Sequence, residues 1–281
     1  MTWKEINDRR KKHIRYGERL FYKLERGLAS QFKQQAEKAT STEQIEAMAE
    51  RFRGDLDVGE VFETFHRRVG MEFARSTFKQ LKMQAGQMEK KDLNTDRIEF
   101  IWEEQILEFV RTRLGDNIAS ITRSMYQDIL RATKEGIKKG VDGGWGIERI
   151  ANQIVKEQGE IAKWRAMRIA RTEVVSASNQ GSLIGARDSG VEQKKVWVSV
   201  LDNRTRVYEG PMKPFDHWEM DGVSAEMEDP FIVSGEELMY PGDPAGSAGN
   251  VINCRCGIIF EPKDNSYYTQ IEQEMIEQGL L

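Results

Sequence analysis

Five side chains toward the C-terminal end are of the types from which metal binding or acid–base chemistry is built: Asp202, His217, Asp221, Cys254 and Cys256. Zinc takes thiolate sulfur, imidazole nitrogen and carboxylate oxygen in a tetrahedron, so the ingredients of a metal centre are present. Spacing opposes the simplest version. If Cys254 and Cys256 lie on an extended strand, successive same-face side chains stand about 6 to 7 Å apart. Two thiolates bound about 2.3 Å from one ion must be closer than that, so the chain would have to bend at Cys254-Arg255-Cys256. Without a bend, the cysteines read as small, partly buried side chains packing beside Trp197. No metal or other cofactor is then expected, and His217, Cys254 and Cys256 remain the alternative ligand set. A Cys, His and Asp arrangement for hydrolysis needs a histidine within reach of the thiol and a place for an oxyanion. His217 is the only histidine in this part, with Asp216, Glu219 and Asp221 close enough in sequence to orient it. The chain has no nucleophile elbow, no paired-carboxylate motif and no phosphate loop. The expectation is a non-enzyme, with a metal-dependent or Cys/His enzyme as the alternative.

These residues must be positioned by the block from Lys195 to Pro262. All six prolines lie at or after Pro211, and both cysteines lie in the same block, which marks a domain boundary. Lys195 to Leu201 alternates, with Val196, Val198 and Val200 on one side and Trp197 on the other, as a β-strand does. Asp202-Asn203-Arg204 supplies turn chemistry. Cys254, Cys256, Ile258 and Phe260 again recur every second residue, which predicts a strand beginning at the cysteines. Between the two strands, the polar segment from Tyr208 to Gly249 is long for a compact domain and needs tying down.

The order of short motifs in this block resembles the phage Mu F-like minor head protein family, also called phage head morphogenesis proteins. They are RIARTE from Arg168 to Glu173, the strand with Trp197, D-x-R-T-R from Asp202 to Arg206, H-x-x-M-D-G from His217 to Gly222, YPGDP from Tyr240 to Pro244, and N-C-R-C from Asn253 to Cys256. In the family pattern the histidine follows the arginine almost at once, whereas here VYEGPMKPFD separates Arg206 from His217. The resemblance implies a minor structural protein of a tailed-phage head, present in few copies and associated with the portal, acting in head morphogenesis or genome delivery. It implies the portal and other head proteins as partners, and a virion location reached from the host cytoplasm. It also marks a set of motif residues: Arg171, Thr172, Glu173, Trp197, Asp202, Arg204, Thr205, Arg206, His217, Asp221, Gly222, Asn253, Cys254, Arg255 and Cys256. Arginines among carboxylates lock loops by bidentate pairing more often than they bind DNA, so these residues read as a charge-assisted network joining helix to sheet.

Charge divides the chain. From Asp202 onward there are 16 acidic and 5 basic side chains, and before it 30 acidic and 37 basic, so the two parts have opposite sign. The basic excess concentrates early: Met1 to Lys33 holds ten Lys or Arg against four acidic residues. The reading is that Arg9, Arg10, Lys11, Lys12, Arg15 and Arg19 contact packaged double-stranded DNA or another acidic partner, or are simply a solvated face. The acidic C-terminal part is kept off phosphates by like-charge repulsion. Two cysteines give no disulfide framework, and no apolar run approaches the roughly 20 residues of a membrane span, so a soluble protein made in a cytoplasm is expected.

Upstream of the block, helical spacing dominates. Trp3 to about Lys38 predicts one long amphipathic helix or two, Thr40-Ser41-Thr42-Glu43 starts another, and Val58 to about Met88 carries an aromatic stripe read as packing surface. Asn94-Thr95-Asp96 caps a helix with Ile98, Ile101, Trp102, Ile106, Phe109 and Val110 on one stripe. His13 and His66 stand alone and read as surface or satisfied core residues. Gly143-Gly144 reads as a hinge; a nucleotide loop is disfavoured because the preceding residues are helical and no GK[ST] follows. Glu160 to Asp188 reads as one helix with a seam of small residues at Ala170, Val174, Ala177, Gly181 and Ile184. The expected fold is α+β: a mostly helical N-terminal region over 1–142, a small domain with a short sheet over 143–262 whose core is 168–262, and a tail helix over 263–281.

Overall fold

The computed structural model describes residues 3–54, 57–86, 95–211 and 213–263. The fold is α+β. Six helices come first: α1 (Trp3–Ala36), α2 (Thr42–Arg51), α3 (Val58–Gln84), α4 (Asp96–Arg113), α5 (Gly115–Asp142) and α6 (Ile147–Asp188). Then follow β1 (Gln193–Val198), β2 (Ser224–Glu226), β3 (Phe231–Val233), β4 (Glu236–Leu238), a short α7 (Ala248–Val251) and β5 (Gly257–Pro262). The tail helix expected over 263–281 lies outside the described residues apart from Lys263, as does Asn94 of the expected cap.

The chain forms two compact units that interleave along the sequence. The first takes residues up to His13, Phe65–Phe109 and everything from Arg171; the second takes Ile14–Thr64 and Val110–Ala170. Position 142/143, at the Gly143-Gly144 hinge, lies within the sequence span of the second unit.

In the second unit, apolar residues at helical intervals meet across α1, α2, α3 and α5. Phe21 stacks on Phe62 with ring centroids 5.1 Å apart, and Phe32 meets Phe52, which in turn meets Tyr126. The start of α2 follows its hydroxyl signal: Ser41 is the N-cap and its side chain accepts from the Gln44 amide. Close approach of α5 and α6 depends on glycine, since a Cβ on Gly136 or Gly140 would strike Ile154 or Ile150.

In the first unit, α3, α4 and α6 build a core of Met71, Ala74, Phe78, Trp102, Ile106 and Ile184. Trp102 also donates its indole N–H to Asp188 at 2.6 Å. The small-residue seam of α6 does what its composition suggests. A Cβ on Gly181 would lie 2.2 Å from the Gly70 carbonyl oxygen, and one on Gly185 equally close to that of Ala74, so α3 and α6 touch backbone to backbone. Ile101, by contrast, is exposed, so the apolar stripe of α4 is narrower than its spacing suggested. α6 is a single helix of 42 residues that begins at Ile147, well before the Glu160 start read from the sequence.

The sheet has order β2-β1-β5, all antiparallel, with Trp197 of β1 opposite Ile258 of β5. β3 and β4 form a separate hairpin closed by Ser234 and Gly235, both at positive φ, as a tight two-residue turn requires. Two boundaries differ from the alternation pattern. β1 ends at Val198, because Leu201 turns into the left-handed region. β5 begins at Gly257, so both cysteines precede the strand instead of opening it.

Candidate functional site

The cysteines sit where the chain bends. After α7, the Cys254 amide donates back to the Val251 carbonyl at 3.1 Å, and Asn253 between them adopts φ 57°, a conformation that asparagine tolerates better than most residues. Cys254-Arg255-Cys256 is not part of β5, which begins at Gly257, so the extended spacing that would have kept the two sulfurs apart does not apply. His217 completes the group: its Nδ1 lies 3.7 Å from Cys254 Sγ and 3.6 Å from Cys256 Sγ, and the three atoms lie within 4.8 Å of one another. All three residues are buried, at 1%, 1% and 3% relative exposure for His217, Cys254 and Cys256. The spacing objection to a shared ion is therefore removed by the backbone, since it assumed a strand that these residues do not form.

The other side of the imidazole is fixed. His217 Nε2 lies 3.0 Å from Asn250 Oδ1, while the Asn250 amide nitrogen donates to the Val233 carbonyl and, at 2.7 Å, to Glu236. With its N–H groups committed, Asn250 offers His217 only an acceptor, so Nε2 carries the proton. Trp197 packs edge-on against the His217 ring at 5.5 Å and donates its indole N–H to Ser199. The Ser199 hydroxyl donates to the His217 carbonyl and lies 3.4 Å from Cys256 Sγ.

Charge is unevenly shared between the thiols. Cys256 is held well below the usual thiol range, first by the hydrogen bond from Cys254 and further by His217 and Ser199; Cys254, the donor in that bond and fully buried, is pushed well above it. Close by lies Arg10, itself buried. Its guanidinium donates to Ser178 at 2.8 Å, to Asn179 at 2.6 Å and to the Cys256 carbonyl at 3.0 Å, and stacks over Trp3. Burial lowers it to about 10, and the only charges that pull it back up are the two thiols; no carboxylate among the described residues pairs with it. Arg10 therefore faces inward and does not belong to the basic surface on which the charge run placed it. On the same helix Lys11, Lys12, Arg15 and Arg19 are exposed, and Arg9 is half-buried with a hydrogen bond to Ser76.

The motif residues divide into those that join the network and those that do not. Arg255 grips Asp202 with both guanidinium nitrogens, the Nη1 bond at 2.7 Å, and this holds the Asp202 carboxyl far below its ordinary range. Asp202 also accepts from the Arg204 amide, and its own amide donates to the Thr205 hydroxyl. Arg206 donates to the Ile252 carbonyl, Asp221 accepts from the Ser199 amide at 2.7 Å, and Gly222, at φ 77°, donates to the Trp197 carbonyl. From α6, Thr172 accepts from the Asn253 amide at 3.0 Å. Glu173 turns instead to His66 on α3, 2.9 Å away, and Arg171 is exposed, so the helix-to-sheet link expected of all three runs through Thr172 alone. Ser178 and Asn179 supply the rest, Asn179 donating to the Pro241 carbonyl at 2.7 Å.

The ordered motifs, from Arg168 to Cys256, fall within the span that comparison with known proteins matches. Residues 127–259 match the family described as phage Mu protein F like protein. This part of the chain is a Mu F-like region. The chain is also 29% identical over 131 residues to an NAD(+)--arginine ADP-ribosyltransferase, EFV, of Enterococcus faecalis; the match covers 40% of this chain but only 25% of that protein. The chain thus spans about a quarter of the length of that curated relative. No solved structure matches it. None of the described helices is long and apolar enough to cross a membrane.

Within the Mu F-like region, the stretch between Arg206 and His217, described except for Met212, is closed at its two ends. Both the His217 and Trp218 amides donate to the Arg206 carbonyl, at 2.9 and 3.0 Å, so the histidine sits beside the arginine as if nothing intervened. Several residues that complete the site carried no sequence signal of their own. Asn250 and Asn179 look like ordinary loop and helix polars, and Arg10 is one of four consecutive basic residues. Lys195, fully buried on β1, where it donates to the Met239 carbonyl at 2.9 Å, likewise carried no signal, following Gln193 and Lys194 in the sequence.

Proposed function

We propose that the chain is a minor structural protein of a tailed-phage head, associated with the portal vertex, that acts by contact and charge placement in head morphogenesis or genome delivery. The family match over 127–259 carries this reading. Burial of the thiol and imidazole cluster, whose members are at most 3% exposed, favours adhesion over turnover. The exposed Lys11, Lys12, Arg15 and Arg19 are the surface for packaged DNA or an acidic head component, and other head proteins are the remaining partners. The virion is the proposed destination, reached from the host cytoplasm.

Quantitative mass spectrometry and cross-linking of purified particles test this. The expected result is a few copies per particle with cross-links to the portal, and loss of infectious particles when the gene is silenced. Absence of the protein from particles would overturn it. The DNA contact is tested separately: Lys11→Glu with Lys12→Glu, Arg15→Glu and Arg19→Glu should weaken DNA binding and flatten its salt dependence. An enzyme reading has the named activity of the Enterococcus faecalis relative in its favour, yet three quarters of that protein has no counterpart here. No NAD+ cleavage or arginine modification is expected of the purified chain, and measured turnover would reverse that assignment.

A further inference from the structure

We propose that His217 Nδ1, Cys254 Sγ and Cys256 Sγ bind one thiophilic divalent cation, zinc in the first instance, as a structural centre of the Mu F-like region. The distances are those such an ion needs. Zinc–sulfur and zinc–nitrogen bonds of about 2.3 and 2.0 to 2.1 Å at tetrahedral angles place the ligand nitrogen and sulfur about 3.6 Å apart. The two observed separations are 3.7 and 3.6 Å.

Orientation points the same way. Asn250 accepts from Nε2 and leaves Nδ1 facing the sulfurs; holding a ligand histidine through its far nitrogen is what an outer hydrogen-bonding shell does for a metal site. Two thiolates would balance a dication, and because thiols must lose their protons to bind, metal uptake would be pH-dependent. The side chains of the cluster supply three ligands. The Ser199 hydroxyl, though near, already accepts from Trp197 and donates to the His217 carbonyl, so it is not counted as a fourth ligand. Burial of all three ligands marks the centre as structural. It would tie together the segment after Arg206 and the segment after α7, which share few regular elements of their own.

The test uses the purified full chain and does not depend on any role in a phage head, so its failure leaves that proposal standing and the reverse holds too. Metal content is measured by mass spectrometry after expression with added zinc, and the metal-free protein is titrated anaerobically with cobalt(II). Expected are about one equivalent of zinc per chain and a near-ultraviolet thiolate-to-cobalt band with strong visible bands, displaced by zinc. Cys254→Ser and Cys256→Ser should each remove the band. Should those variants fail to fold, Asn250→Ala keeps all three ligands and should weaken metal affinity by roughly 10- to 100-fold. Folded protein with both thiols reduced and no thiolate-to-cobalt band would overturn the proposal, as would a Cys254–Cys256 disulfide in the purified protein.

Discussion

The two units each bury a polar centre, and they resolve the cost of doing so differently. In the first, Arg10, Asn179, Asn250, His217 and Ser199 exchange hydrogen bonds until each is fixed by at least one partner, and the result is orientation: sulfurs and an imidazole nitrogen held around one point. In the second, Glu25, Gln158, Arg165 and Asp128 gather between helices. Arg165 reaches Glu25 at 3.6 Å and also contacts Asp128, and Gln158 donates to Glu25 at 3.3 Å. Yet Glu25 Oε1, Gln158 Oε1 and Arg165 Nε find no hydrogen-bond partner there. Burial pushes Glu25 up to about 7 against the pull of Arg165 and Arg168. A satisfied network buys geometry, whereas an incomplete one leaves its cost visible as pH dependence.

Breaking the first centre should have the largest effect. Arg10→Met removes the donor to Ser178, Asn179 and the Cys256 carbonyl, leaving buried acceptors unpaired, and should destabilise the protein by roughly 3 to 5 kcal/mol in urea unfolding. Next is the second centre. Because the folded value of Glu25 lies above its ordinary 4.5, its contribution to stability is greatest below 4.5 and is lost as pH rises through about 7. Glu25→Gln should therefore flatten the pH profile between those values and stabilise the protein by up to roughly 3 kcal/mol at pH 8, with little change at pH 4. A gain at low pH instead would contradict the comparison. Asn250→Ala should cost about 2 kcal/mol in thermal unfolding by orphaning His217 Nε2 and the Val233 carbonyl. Smallest is an exposed control: Arg187 grips Glu228 through two bonds at 2.9 and 2.7 Å, but in solvent, so Arg187→Ala should change stability by less than about 1 kcal/mol.

Much of the fold was legible in the sequence. Period and capping residues placed α2, the aromatic stripe of α3, the small-residue seam of α6 and the core of β1, because each of those signals is local. The site was harder for a physical reason. Cys254, Cys256, Ile258 and Phe260 keep a strand's period, yet the strand begins only at Gly257, after Asn253 at positive φ and a one-turn helix, Ala248–Val251, too short to leave a pattern. Arg10 meets the Cys256 carbonyl across 246 residues of chain, and its neighbours in sequence are solvent-facing lysines and a half-buried arginine. Glu25 and Lys195 likewise have ordinary local surroundings; only tertiary packing withdraws them from water.

The excursion from Val207 to Asp216 has its own internal fastening, with the Lys213 amide donating to the Gly210 carbonyl, the Glu209 amide to the Lys213 carbonyl, and the Tyr208 amide to Asp216. Its two ends meet at one carbonyl, that of Arg206. Length there is thus uncoupled from where the imidazole ends up: a peptide tag or label could be spliced in near Gly210 without shifting His217, giving a handle by which the chain can be tracked while its thiol and histidine cluster stays undisturbed.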